Sequence, residues 1–114
     1  KKGDLSANFE EVQKIFENIP NVNLLKGWIP DIFDSLDENN QYRFVHIDVD
    51  LYKPTLSSLN YIYDKVIKGG VIITDDYNSP LFPGNQKAWI EFFKSKNNSS
   101  YLVLPSGQAA LIKQ

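Results

Sequence analysis

Apolar positions recur along this chain at two periods. Phe9, Val12, Ile15, Phe16 and Ile19 fall on one helical face after a polar lead-in, Lys1–Ala7. Asn8 and Glu11 stand at N-cap and capping-box spacing, and Pro20-Asn21 ends the run. Val22–Lys26 reads as a short strand broken by Gly27-Trp28, and Pro30 opens a second helix with Ile32, Phe33 and Leu36 inward. After a loop at Asp37–Gln41 comes a first central strand, Arg43–Asp48. A helix from Pro54 carries a stripe of Leu56, Leu59, Ile62, Tyr63 and Val66, and Gly69-Gly70 is expected to stop it. The second central strand follows, then a turn-rich loop, Asn78–Gly84, expected to overhang its end. A helix from about Asn85 to Lys94 places Ala88, Trp89, Phe92 and Phe93 in the core. Past a polar turn at Lys96–Ser100, strands at Tyr101–Leu104 and Gln108–Lys113 are joined by Pro105-Ser106-Gly107, a link so short that the pair must be antiparallel. Alternating helix and strand predicts an α/β domain, mostly parallel, closed by an antiparallel hairpin.

The organising stretch is Phe44–Tyr77. Two apolar strands, Phe44–Ile47 and Val71–Thr74, each run directly into acids: Asp48 and Asp50 after the first, Asp75 and Asp76 after the second. A strand–helix–strand crossover makes the two strands parallel. Their carboxyl ends then share one edge of the sheet, where open α/β sheets bind ligands. Four neighbouring carboxylates repel, so either some stay protonated or a cation lies among them. With no cysteine and one histidine in the chain, Mg²⁺ suits the donors. The plain alternative is that Asp75-Asp76 caps a turn and Asp50 is merely solvated; a single strand-end acid would favour it, and four at two neighbouring ends favour a site.

Composition narrows the classes. The 114 residues are enough for one domain or a piece of one, and 42% hydrophobic content supports a packed core rather than disorder. A net charge of −2, with the acids gathered at the expected site, argues against nucleic acid and anionic membranes. No apolar run approaches a membrane span, and no signal peptide is visible. The absence of cysteine excludes disulfides and thiolate metal sites. A cytoplasmic location is the expectation.

The motifs His46-Ile47-Asp48-Val49-Asp50-Leu51-Tyr52 and Gly69-Gly70-Val71-Ile72-Ile73-Thr74-Asp75-Asp76-Tyr77, followed by Pro83-Gly84 and a helix with Lys87-Ala88, closely resemble the macrocin O-methyltransferase family. The Lys26-Gly27-Trp28 step is similar as well, so the resemblance runs from about Phe9 onward. It implies a Rossmann-like class I methyltransferase fold, with helices on both faces of the sheet and an antiparallel C-terminal hairpin. It also implies S-adenosylmethionine- and Mg²⁺-dependent methylation of a sugar hydroxyl on a small-molecule or glycoside acceptor. By resemblance Asp48, Asp75 and Asp76 hold the metal, and Gly27 and Trp28 lie with Asp48 near the cofactor; as a strand-end acid Asp48 is the first catalytic candidate, a ligand and general base. The family's Gly-rich cofactor turn has no counterpart, since the glycines at 3, 27, 69, 70, 84 and 107 form no GxGxxG. Residues 1–114 are therefore expected to be a partial methyltransferase domain lacking the N-terminal cofactor-binding strands, inactive alone and open to homo-oligomerisation through an unpaired sheet edge.

Other positions have plainer readings. Asp50 is either an outer acid or a cap for the helix near Pro54. Strand alternation puts His46 inside, as a hydrogen-bonded core histidine rather than a base; Lys53 either assists deprotonation or, as an exposed lysine before Pro54, is simply solvated. Trp28 could equally be a core anchor, while Tyr52 and Tyr77 either pack against a ligand or are structural. Asp-x-Asp after a strand also occurs in metal-dependent glycosyltransferases and in phosphatases whose first Asp is the nucleophile. The latter want a small turn residue where Leu51-Tyr52 stands, and the former leave Asp75-Asp76 unexplained. A non-catalytic α/β assembly domain is the alternative outside enzymes.

Overall fold

In a computed structural model, residues 7–96 and 100–114 are described. The polar lead-in (1–6) and the middle of the turn after the third helix (97–99) lie outside them.

Helix α1, Phe9–Ile15, starts where Asn8 Oδ1 accepts the Glu10 backbone N–H at 2.9 Å. It is shorter than its apolar stripe predicts and buries no residue, and Ile15 is 71% exposed. Periodicity marks which face wants cover; helix length follows from the cover received. Val22–Lys26, expected as a strand, is not in the sheet, because a strand exists only through a partner ladder. The helix expected after Pro30 is a single 3₁₀ turn, Asp31–Ser35, following a cis Ile29–Pro30 peptide.

The crossover unit forms as expected. Strand β1, Tyr42–Ile47, is followed by helix α2, Tyr52–Ile62, a 3₁₀ turn at Tyr63–Lys65, and strand β2, Val66–Thr74. Strands β1 and β2 are parallel, with Ile47 opposite Thr74. Gly69-Gly70 does not stop the helix. Both lie inside β2, where the register jumps: Tyr42 pairs with Val66 but Phe44 with Val71. The extra residues form a bulge around Gly69, at φ +82°. A side chain on Gly70 would meet Val66 Cγ1 at 2.6 Å and the Arg43 carbonyl oxygen at 2.9 Å. These glycines serve a bulge and a close strand approach, uses that sequence alone does not separate from a helix stop.

Helix α3, Pro83–Lys94, precedes the hairpin of β3, Leu102–Val103, and β4, Ala109–Ile112. The sheet order is β1-β2-β4-β3, with β4 antiparallel to both neighbours as the short link requires. Helices α2 and α3 pack together on one face. There Leu59, Ile62, Trp89 and Phe92 meet Ile47, Ile72, Ala109 and Leu111. Trp89, Leu59 and Ile72 are completely buried. Tyr77 is buried too, edge-on to Trp89, with its hydroxyl 2.7 Å from that of Tyr101, which makes it structural. The opposite face is more open, with Phe44 63% and Ile112 53% exposed. Among the described residues no helix is long and apolar enough to cross a membrane.

Candidate metal site at the strand ends

Parallel pairing of Ile47 with Thr74 makes the next residues, Asp48 and Asp75, neighbours across two strand ends. The Asp75 N–H donates to the Ile47 carbonyl at 3.2 Å, extending the ladder by one bond. Beyond it both chains turn sharply. Asp50 and Asp76 adopt left-handed backbone conformations, with φ of 61° and 63°. Aspartate is among the few side chains that visit this region, at a cost of about 1–3 kcal/mol each, and such residues concentrate at functional sites. Leu51 N–H reaches the Val49 carbonyl at 2.6 Å, closing a three-residue turn about Asp50, and Ser79 N–H reaches the Asp76 carbonyl at 3.1 Å. These turns bring one carboxylate oxygen each from Asp48, Asp50 and Asp76 within 4.8 Å of one another.

All four strand-end acids therefore converge, but not in the expected grouping. Asp50 stands in the triad, and it does not cap α2, whose N-cap is Leu51 with no side-chain bond. Asp75 sits beside Asp48 with one oxygen already engaged. Its Oδ1 is 3.0 Å from His46 Nε2 and 2.6 Å from Gln108 Nε2. The electrostatics follow. Burial, then the Asp75 and Asp76 charges, push the Asp48 carboxyl above its usual range. Asp76 is raised by burial and by its hydrogen bond to Asp50. Asp75 is lowered, chiefly by Gln108 and then His46. Burial and mutual repulsion thus favour the protonated forms of Asp48 and Asp76, while hydrogen bonds favour the ionised form of Asp75. An all-oxygen, anionic donor set of this kind fits a hard divalent cation, whose charge would offset the repulsion among the carboxylates.

His46 is hydrogen-bonded as expected, but it is not a core residue: its side chain is 45% exposed. The alternation holds in the opposite phase. Val45 and Ile47 face the helices, so His46 and Asp48 face the open side. Trp28, at 83% exposure, is no core anchor. Gly27 packs where a side chain would meet Ile32 Cδ1 at 2.7 Å. Tyr52 joins the two helices, its hydroxyl donating to Glu91 and Lys87 Nζ lying 4.7 Å from its ring centre. Thr74 Oγ1 donates to Asn85 Oδ1 at 3.3 Å, seating α3 under the acidic turn.

A cavity of about 340 Å³ adjoins Asp48 on the free side of β1. Ile29, Phe33, Val45, Val49 and Ile62 make it apolar, and His46, Asp48 and Ser58 are its polar members. The buried Ser58 Oγ has no hydrogen-bond partner. The sequence places Phe33 inward on the segment after Gly27 but gives no signal that Ile29 or Ser58 lines a cavity. Ser58 had no signal beyond being a small polar residue next to the buried Leu59. Gln108 had none until the hairpin register was known.

Comparison with known proteins shows the family and the fold. The profile of the macrocin-O-methyltransferase (TylF) family matches residues 2–103. A demethyldecarbamoylnovobiocin O-methyltransferase from Streptomyces niveus is 34% identical over 77 residues, covering 64% of this chain and 29% of that protein. The solved structure of the O-methyltransferase NovP superposes with a TM-score of 0.72 at 24% identity, over 96% of this chain and 46% of that one. The structure of CalS11, a TDP-rhamnose 3′-O-methyltransferase of calicheamicin biosynthesis, gives 0.53 at 21% identity, over 90% of this chain and 37% of that one. The chain thus spans less than half the length of each of these relatives.

Proposed function

The chain belongs to the macrocin-O-methyltransferase family, and from that membership we propose that it carries the metal and acceptor half of an S-adenosylmethionine-dependent sugar O-methyltransferase. The observation that carries this reading is the convergence of Asp48, Asp50, Asp75 and Asp76 at the ends of two parallel strands, with three of their oxygens within 4.8 Å. Asp48 and Asp76 are the central ligands, belonging both to the set the sequence motifs imply and to the set the geometry clusters. Asp75 and Asp50 stand to either side.

Magnesium, when bound, would supply Lewis-acid stabilisation of an ionising sugar hydroxyl. The protein's own part is alignment and proton removal. Asp48 stands both in the carboxylate cluster and among the residues lining the cavity, which makes it the acid placed to take up the hydroxyl proton. The left-handed turns at Asp50 and Asp76 fix the carboxylates before the acceptor arrives, so little reorganisation is left for the reaction. The apolar cavity beside Asp48 would take part of the cofactor, excluding water from the transferring methyl group. Trp28, exposed on the segment leading to that cavity, is available to stack on a ligand.

The six glycines form no dinucleotide-type phosphate or methionine turn. We therefore assign the Gly-rich half of the cofactor site to a segment other than residues 1–114, and expect this chain alone to be inactive. Glycosyltransferase and phosphatase chemistries based on Asp48 and Asp50 leave Asp75 and Asp76 without a task.

The test is methyl transfer from radiolabelled S-adenosylmethionine to TDP-sugars and glycosides by the whole methyltransferase that contains this chain. Activity should need Mg²⁺ and fall at least ~10³-fold in Asp48→Asn, the range for losing a positioned charge and a base together. Undiminished turnover by Asp48→Asn in EDTA would overturn the proposal.

A further inference from the structure

Gln108 is the unexpected neighbour of the acidic cluster. Its position follows from the hairpin: Thr74 pairs with Ala109, so the antiparallel register sets Gln108 opposite Asp75. The turn beneath it is tied down by three bonds. Gly107 N–H donates to the Leu104 carbonyl at 2.9 Å, Leu104 N–H to the Gln108 carbonyl at 2.8 Å, and Asn78 N–H to the Gly107 carbonyl at 3.1 Å. The last of these joins the turn to the loop that follows Asp76. Ser106 Oγ donates to Gln108 Oε1 at 2.9 Å. With its oxygen so engaged, the amide turns its Nε2 toward Asp75, where it donates to Oδ1 at 2.6 Å. His46 Nε2 meets the same oxygen from the adjacent strand at 3.0 Å.

From this convergence we propose that Ser106, Gln108 and His46 are positioning residues that clamp Asp75 Oδ1 and so leave only its other oxygen to face a cation held by the strand-end acids. Two donors on one oxygen stop the carboxylate rotating and prevent it from chelating through both oxygens. They also set the tautomer of His46, whose Nε2 must carry the proton to donate. The C-terminal hairpin thereby becomes part of the metal site although none of its residues is a ligand. The inference rests on the metal reading above, and the experiment separates the two.

The experiment is a Mn²⁺ titration of the chain followed by electron paramagnetic resonance, repeated with Mg²⁺ by amide NMR. Gln108→Leu, which keeps bulk and removes the donor, should weaken metal binding ~10-fold or more, the usual consequence of losing a partner of a metal ligand. Ser106→Ala, which frees the amide to rotate, should weaken it by a smaller factor, and Ser106→Thr should restore it. Dispersed amide spectra and unchanged unfolding midpoints should accompany the losses, which a merely structural role would not produce. Long-range ¹H–¹⁵N spectra should show neutral His46 protonated on Nε2. Should Gln108→Leu fail to fold, the Ser106 pair carries the same decision. Metal affinity within twofold of the unaltered chain in both Gln108→Leu and Ser106→Ala would overturn the clamp and leave the metal reading standing. No binding by the unaltered chain would overturn both.

Discussion

Replacing Asp48 by Asn should stabilise this chain in the absence of cation while removing its response to one. Asp48 sits among three other acids and is exposed, so its repulsions are screened by water. At a 4.8 Å separation, one pair of unit charges costs ~0.9 kcal/mol at the dielectric of water and ~3.5 kcal/mol at an effective value near 20. Exposure favours the lower figure. Removing one charge from two near neighbours should then return about 1–2 kcal/mol, or roughly 4–8 °C in the unfolding midpoint of a domain this size. The pH dependence has a definite sign. The Asp48 and Asp76 carboxyls are raised above the unfolded value of 3.8, so the folded state holds their protons longer. Their contribution is fully present below 3.8 and is lost as pH rises through the raised folded values. Asp75 runs oppositely: lowered in the folded state, it contributes above 3.8 and loses that contribution as pH falls through its folded value. The wild-type chain in EDTA should therefore lose stability from about pH 4 upward, and Asp48→Asn should lose less. Ten Kd of Mg²⁺ should restore about 1.4 kcal/mol to the wild type and little to the variant. Circular dichroism melts at pH 4.5 and 7.5, with EDTA or Mg²⁺, measure all of this. A lower midpoint for Asp48→Asn in EDTA at pH 7.5 would refute the electrostatic reasoning, since it would mean that Asp48 holds the fold together rather than straining it.

Two further outcomes follow from packing. Gly70→Ala sets a methyl group against the Arg43 carbonyl oxygen and Val66, so it should cost about 1–3 kcal/mol by urea unfolding; a neutral result would mean that the bulge relaxes freely. Trp28→Ala, at an 83% exposed site, should leave the midpoint of this chain within about 2 °C, yet weaken S-adenosylhomocysteine binding by the whole methyltransferase in calorimetry. A large loss of stability would instead return Trp28 to the core.

Much of the fold is legible in the residues because local chemistry and burial agree there. The α2 and α3 stripes, the parallel β1–β2 unit and the hairpin at Pro105-Ser106-Gly107 all form at or within a few residues of the expected positions. Where sequence reasoning departs from the structure, a partner element makes the difference. Val22–Lys26 has strand composition but no ladder. Gly69-Gly70 follows a helical stripe but serves a bulge against Arg43. His46 alternates as a core residue would, yet the helices cover the other face.

The same division runs through the site. That acids end two neighbouring strands is a property of the sequence alone, because a carboxylate directly after an apolar run has nowhere to lie but the sheet's carboxyl edge. Which of the acids share a centre was decided in three dimensions. Left-handed turns at Asp50 and Asp76 swing those two side chains toward Asp48, while a hairpin register set more than thirty residues later brings Gln108 onto Asp75. Backbone handedness at an aspartate and register between distant strands leave no local mark on composition or period, so only the folded chain reveals them.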